Sequence, residues 1–178
     1  MVVKSIIKLS DEAIIPAVAL IIGKMAGLFL SAYLLHLPFT VKNSQIFHLL
    51  PSAHFNNLQD YTRAENYSNL AMLLVAVAGA FYVIIRAHFF HESHISPKFH
   101  AKLVSINLDS LVASSYHLYH QAAIWLTFLW LTVIFLVVST ILKITYPQIS
   151  VVAALIAANF SWIFAMDIER EIEITKAA

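Results

Sequence analysis

Residues 13–37 read AIIPAVALIIGKMAGLFLSAYLLHL, an apolar run of membrane-span length that carries one charged residue, Lys24, near its middle. A bilayer core is about 30 Å thick, and about 20 apolar residues of helix cross it. A charged side chain at that depth costs at least about 2.5–3.5 kcal/mol, so an ionisable residue inside a span is a candidate for function. The run therefore predicts both a membrane helix and a candidate functional residue.

Three more apolar runs follow, at residues 69–87, 122–144 and 148–166, and a polar tail occupies residues 167–178. The whole chain is 60% hydrophobic and 12% charged, whereas soluble domains are about 45–50% apolar and about 25% charged. We predict that residues 1–178 form a single membrane domain, an all-α integral membrane protein built as a four-transmembrane-helix bundle.

The long connection between the second and third spans also contains a helix signal. Ser96 followed by Pro97 is typical of a helix N-cap with proline in the first turn. Apolar residues then recur near helical spacing from Val104 to Tyr119. We predict an interfacial amphipathic helix that leads into the third span.

Lysine and arginine in the connections predict the orientation, because cytoplasmic loops carry an excess of both. Four spans place the N-terminus, the second connection and the C-terminus on one side. That side holds seven basic residues and the other holds three. The asymmetry predicts a multi-pass protein of the cell membrane with both termini in the cytoplasm.

Composition excludes several classes of site. The chain has no cysteine, so disulfides, thiolate metal sites and cysteine nucleophiles are excluded. The net charge is only +1, so the composition does not indicate the strongly basic surface of a nucleic-acid-binding protein. The sequence contains none of the phosphate-binding or nucleophile-elbow motifs, and we expect no catalytic residue.

Small residues recur at four-residue steps on two of the spans. In lipid, such stripes let helix backbones approach closely. We predict that the first and fourth spans pack against each other or against copies of themselves, while the bulkier third span faces lipid. Plain bundle packing with no functional content is the simpler interpretation of the same residues, which are Ala19, Gly23, Gly27 and Ser31 in the first span and Ala153, Ala157, Ser161 and Ala165 in the fourth.

A helical wheel places Lys24 on the same side as Gly27 and Ser31, away from lipid. None of the four predicted spans contains an acidic residue. Asn159 and Ser161 of the fourth span are polar residues that could share a path with Lys24 and Ser31. Lys24 could carry protons, contact an anion or headgroup, or line a pore; the alternative is a neutral or snorkelling lysine.

The chain has nine histidines in 178 residues, and the six between His88 and His120 form the second candidate site. On helices, residues three apart share a face, so the two H-x-x-H pairs at neighbouring span ends could converge. Neutral imidazole suits zinc, iron or copper, and two histidines on facing helices could ligate haem b. The alternative is an interfacial belt of amphipathic side chains. The candidate ligands are His88, His91, His117 and His120.

Three functional hypotheses follow from these observations. The leading one is an oligomeric channel or transporter subunit with Lys24 on the polar path. The second is a membrane metal- or haem-binding redox protein, and the third is a structural or assembly subunit of a membrane complex. The expected partners are the lipid bilayer and either copies of the chain or the other subunits of a complex.

Overall fold

The structure, a computed structural model, describes residues 2–43, 51–90 and 95–177. Four long helices dominate it, joined by a β-hairpin, by a short helix followed by a 3₁₀ turn, and by a tight turn. In chain order the elements are α1 (Val2–Leu34), β1 (Phe39–Asn43), β2 (Pro51–Phe55), α2 (Leu58–Phe89), α3 (Pro97–Ser105), a 3₁₀ turn (Asp109–Leu111), α4 (Ser115–Ile141) and α5 (Pro147–Ala177).

The four long helices are each long and apolar enough to cross a membrane, the architecture of a multi-pass membrane protein. This confirms the predicted all-α class with four span-length helices. The first predicted span runs three residues too far, because α1 ends at Leu34 and His36 takes a left-handed backbone conformation (φ 52°). The second begins too late, because α2 already starts at Leu58.

The helix predicted after Ser96 is α3, and its first turn is capped as expected. The Ser96 hydroxyl accepts a hydrogen bond from the Phe99 amide at 3.3 Å, and Pro97 stands in the first turn. The helix does not lead into α4, because Asn107 adopts a positive φ of 56° and a 3₁₀ turn intervenes. Its position at a membrane interface stays a prediction.

A two-stranded antiparallel hairpin joins α1 to α2, and the sequence analysis did not anticipate it. Phe39 pairs with Phe55 at its base. A chain of aromatic contacts, each between 6.1 and 6.2 Å from centroid to centroid, runs from Phe29 of α1 through these two rings to Tyr61 of α2. The rings therefore attach the hairpin to the ends of both helices.

Helix α2 lies at the centre of the bundle, where it contacts each of the other three long helices. Among the described residues, α1 packs mainly on α2, and α5 packs on α4 and α2. The predicted pairing of the first and fourth spans within one chain is therefore wrong. The prediction that the third span faces lipid holds for one side of α4 at most. Trp130 and Phe135 are exposed on that side, whereas the opposite side is fully buried, including Leu118, Leu129 and Leu136.

The two ends of the bundle differ in construction. We call one the hairpin end, which carries β1, β2 and the α4–α5 turn at residues 142–146, and the other the terminal end, which carries α3 and the outer parts of α1 and α5. At the hairpin end, the Tyr146 amide donates to the Asn66 side chain at 2.7 Å. Eight residues of α2, or about 12 Å of helix, lie beyond Asn66, so α1 and α2 project past the α4–α5 turn.

Candidate functional site

Lys24 forms an ion pair that the sequence analysis did not predict. Its ammonium group donates to a carboxylate oxygen of Glu65 and, at 2.7 Å, to the side-chain oxygen of Asn69. Both partners lie on α2, one turn apart. The ammonium also sits 4.9 Å from the centre of the Phe135 ring of α4, within the range of a cation–π contact.

The ion pair belongs to a polar network that joins three parts of the bundle. Asn69 accepts from Lys24 and donates from its amide nitrogen to Thr145 at 2.6 Å. Ser68 donates to the backbone carbonyl of Lys24 at 2.7 Å. The network thus connects α1, α2 and the α4–α5 turn near the hairpin end.

The network is largely shielded from solvent by the protein itself. The side chain of Glu65 is 11% exposed and that of Lys24 is 28% exposed, and Asn69 is fully buried. Removing either charged partner would leave the other without its counter-charge in a region of low dielectric, which is strongly destabilising for buried pairs. The predicted spans offered Lys24 no acidic partner, but the structure provides one. Helix α2 starts eleven residues before the predicted span, and this added part of the helix carries Glu65.

Small residues allow Lys24 to lie this close to α2. A Cβ atom at Gly27 would stand 2.5 Å from the Cβ of Ala71 and 3.0 Å from the Cα of Ser68. A Cβ atom at Gly23 would stand 2.7 Å from the Val75 side chain. These glycines flank Lys24, so the helix backbones meet beside the ion pair.

The remaining polar candidates separate into two groups. Ser31 is buried in the α1–α2 contact and donates to the Ala64 carbonyl at 3.1 Å. Ser161 of α5 accepts from the Trp130 indole at 3.0 Å, and Asn159 is exposed and donates to the Leu155 carbonyl of its own helix. The structure brings Ser31 to the same interface as Lys24 and places the two α5 residues elsewhere.

Of the remaining small residues proposed for helix packing, Ala153 and Ala157 are fully buried in the core that α5 forms with α4 and α2. Ala19 lies on α1 and is half-buried. Two residues of the α5 stripe, Ala153 and Ala157, therefore pack on α4 and α2, whereas Ala165 is exposed. Gly23 and Gly27 of the α1 stripe pack on α2.

The histidines at the terminal end contact carboxylates from other helices. His88 of α2 lies 2.7 Å from Asp167 of α5. His120 and His117 of α4 lie 3.2 Å and 3.7 Å from Glu12 of α1. Within residues 2–43, 51–90 and 95–177, no group of three or more such side chains is arranged to hold a metal ion. His91, the fourth predicted ligand, falls outside those ranges.

No family model matches the chain, and neither characterised proteins nor solved structures give a significant match.

Sequence reasoning missed Glu65, Asn69 and Thr145. A signal for the first two was present, because residues 65–69 read ENYSN and lead into the second apolar run, which begins at Asn69. Extending the helix backward by one turn places residues 65 and 69 on one face. The partner helix could not be read from this pattern, because it depends on how α1 packs.

Proposed function

We propose that this protein is a subunit of a small oligomeric membrane channel or transporter in which the Lys24–Glu65 pair forms a charged gate. One observation carries the proposal: two opposite charges and two further polar side chains, Asn69 and Thr145, are gathered in one network within a bundle of four helices that are each apolar enough to cross a membrane. Ionisable residues inside membrane helices are rare, pair with one another and mark ion or substrate pathways.

The paired state suits a gate better than a permanently charged pore lining. A closed pair has no net charge and offers no free site to a passing ion. An anion that engages Lys24, or a proton or cation that engages Glu65, would compete with the pair and open it. Because Lys24 keeps 28% of its side chain exposed, a competing ion would reach it wherever that side lines a water-filled path.

The position of the pair favours a path between copies of the chain. Four packed helices enclose little volume, and the α1–α2 interface is closed by direct contact at Gly23 and Gly27. The outer face of α1 is apolar and exposed, including Val18, Ile22 and Leu30. Lipid or a second copy would cover that face.

The test separates the gate from a structural clamp by removing the charges singly and together. Lys24→Met and Glu65→Gln should each lower the free energy of unfolding by about 1–3 kcal/mol, less than the 3–5 kcal/mol of a fully buried pair because Lys24 is part-exposed. The double variant should regain most of this loss, because no uncompensated charge remains.

Flux of H⁺, K⁺ and Cl⁻ into liposomes is then compared for wild type, the double variant and a control, Lys143→Met, which removes an exposed lysine from the α4–α5 turn. We expect the folded double variant to lose or alter the flux that wild type and the control retain. Unchanged flux in the double variant, or no flux from wild type, would refute the gate and leave the pair as a clamp within a structural subunit.

A further inference from the structure

A second feature, far from the ion pair, is a cleft of about 230 Å³ at the terminal end. Glu12 lies twelve residues before Lys24 on α1, or about 18 Å along the helix. The cleft opens between three helices, and its lining includes Glu12 and Ile15 of α1, Val83 and Arg86 of α2, and Gln121 and Trp125 of α4.

The cleft has charges of opposite sign on two of its walls. Glu12 contributes a carboxylate from α1, and Arg86 contributes a guanidinium from α2. Gln121 adds a neutral amide from α4. The rest of the lining is apolar or aromatic, so a bound molecule would meet charge in some places and apolar surface in others.

Arg86 is held in place by the segment that follows α3. Its Nε donates to the Leu111 carbonyl at 2.8 Å and its Nη2 donates to the Ser110 carbonyl at 2.9 Å. A guanidinium has five N–H donors in a fixed plane, so two bonds to the loop leave donors for a ligand. Such a group binds carboxylate and phosphate oxygens well.

Glu12 is likewise oriented by its surroundings. Its carboxylate lies 3.2 Å from the Nε2 of His120, and the amide nitrogen of Gln121 lies 3.1 Å from His117, the other imidazole beside Glu12. Groups held by neighbours before a ligand arrives lose little freedom on binding.

From this arrangement we infer that the terminal-end cleft binds a zwitterionic group, with its ammonium beside Glu12 and its acidic oxygens on Arg86. A free amino acid and the headgroup of phosphatidylethanolamine share this chemistry. The apolar surface of Val83, Ile124 and Trp125 would take an aliphatic side chain in the first case and the start of an acyl chain in the second.

The inference stands on a different observation from the proposed gate, and it is tested by binding without flux. Full-length protein in phosphatidylglycerol nanodiscs is titrated with L-leucine, with isopentylamine, which lacks the carboxylate, and with 4-methylpentanoate, which lacks the ammonium. Leucine should bind at least about tenfold more tightly than either analogue, the factor that one charge-assisted contact supplies.

Phosphatidylethanolamine added to the same nanodiscs tests the lipid source. If the headgroup is the occupant, the lipid raises the unfolding temperature of wild type and leucine does not bind. If neither probe has an effect, or if the single-charge analogues match leucine, the inference is wrong.

Two charge variants and their controls assign the effect to the cleft. Arg86→Gln and Glu12→Gln should weaken the binding of the effective probe at least about tenfold. Arg63→Gln, an exposed arginine at the other end of α2, and Asp11→Asn, the exposed neighbour of Glu12, should leave it unchanged. Equal binding by all four variants would overturn the assignment.

A steric variant covers the case in which a charge variant fails to fold. Ile15 lines the cleft and is 69% exposed, so Ile15→Trp adds bulk at the cleft without disturbing the core. We expect it to unfold at the wild-type temperature and to bind the probe at least about tenfold more weakly. Full binding by this folded variant would contradict a ligand inside the cleft.

Discussion

At the scale of the residue, none of the described residues with a left-handed backbone conformation is a glycine. The three glycines of the chain all lie inside helices, where Gly23 and Gly27 touch α2 and Gly79 lies under the Trp125 ring. The residues with positive φ that end helices are instead His36, Asn107 and Lys143. After each of them, the next amide donates to a carbonyl five residues back at 2.9 Å, the bond of a Schellman cap.

This arrangement predicts a stabilising substitution at Lys143. A side chain in the left-handed region costs roughly 1–2 kcal/mol, a strain that glycine avoids, although glycine loses more entropy on folding. We expect Lys143→Gly to raise the free energy of unfolding by about 0.5–1 kcal/mol, measured by reversible denaturation in mixed micelles.

Lys143→Ala is the control for that change, because it removes the charged chain and keeps the Cβ atom. Alanine should give no comparable gain. If alanine and glycine stabilise equally, the gain comes from the lost charge and the backbone argument fails.

At the scale of the element, the α1–α2 contact brings two helices close together at Gly23 and Gly27, so it is sensitive to added volume. Leucine at Gly27 would place its side chain where Ala71 and Ser68 already stand. We expect Gly27→Leu to lower the free energy of unfolding by about 1–3 kcal/mol, the usual cost of overpacking, and to weaken the Lys24–Glu65 pair beside it.

Ala26→Leu is the matched control. It also introduces a leucine side chain, but at the neighbouring position, which lies on the exposed face of α1. It should leave the unfolding curve near that of wild type. A Gly27→Leu protein as stable as the control would show that α1 and α2 do not meet at this point.

The same elements show what the sequence could and could not predict. Span-length helices follow from apolar runs alone, and the start of α3 follows from a local cap at Ser96. The partner of each helix does not follow, because a stripe of small residues shows that a helix can approach another closely without showing which one. Aromatic bulk on α4 is equally ambiguous: Trp125 covers Gly79 and Trp130 reaches Ser161, so large rings can fill gaps inside a bundle.

The sequence identified one partner of the ion pair and missed the other. Lys24 was identified because a lone charge in an apolar run is conspicuous. Glu65 was missed because hydropathy marks where a span becomes apolar, and α2 begins well before that point. The β-hairpin was missed because its attachment depends on the rings of Phe29 and Tyr61, which lie on different helices.

At the scale of the whole molecule, the bundle predicts a topology. Ser52 lies in β2 at the hairpin end, and Ser105 ends α3 at the terminal end, with the whole of α2 between them. Reporter fusions at these two positions should label opposite sides of the membrane, with Ser105 on the cytoplasmic side because more lysine and arginine lie there. Labels on the same side would mean that α2 does not cross.

The separation of Lys24 and Glu65 along the chain also has a consequence for biosynthesis. The two residues are 41 positions apart, so Lys24 emerges from the ribosome before its counter-charge does. During that interval α1 carries an uncompensated lysine, at a cost of at least about 2.5–3.5 kcal/mol for a charge near the centre of a membrane helix. Entry of α1 and α2 as one hairpin avoids that cost, so the order of translation favours insertion of the first two helices as a pair.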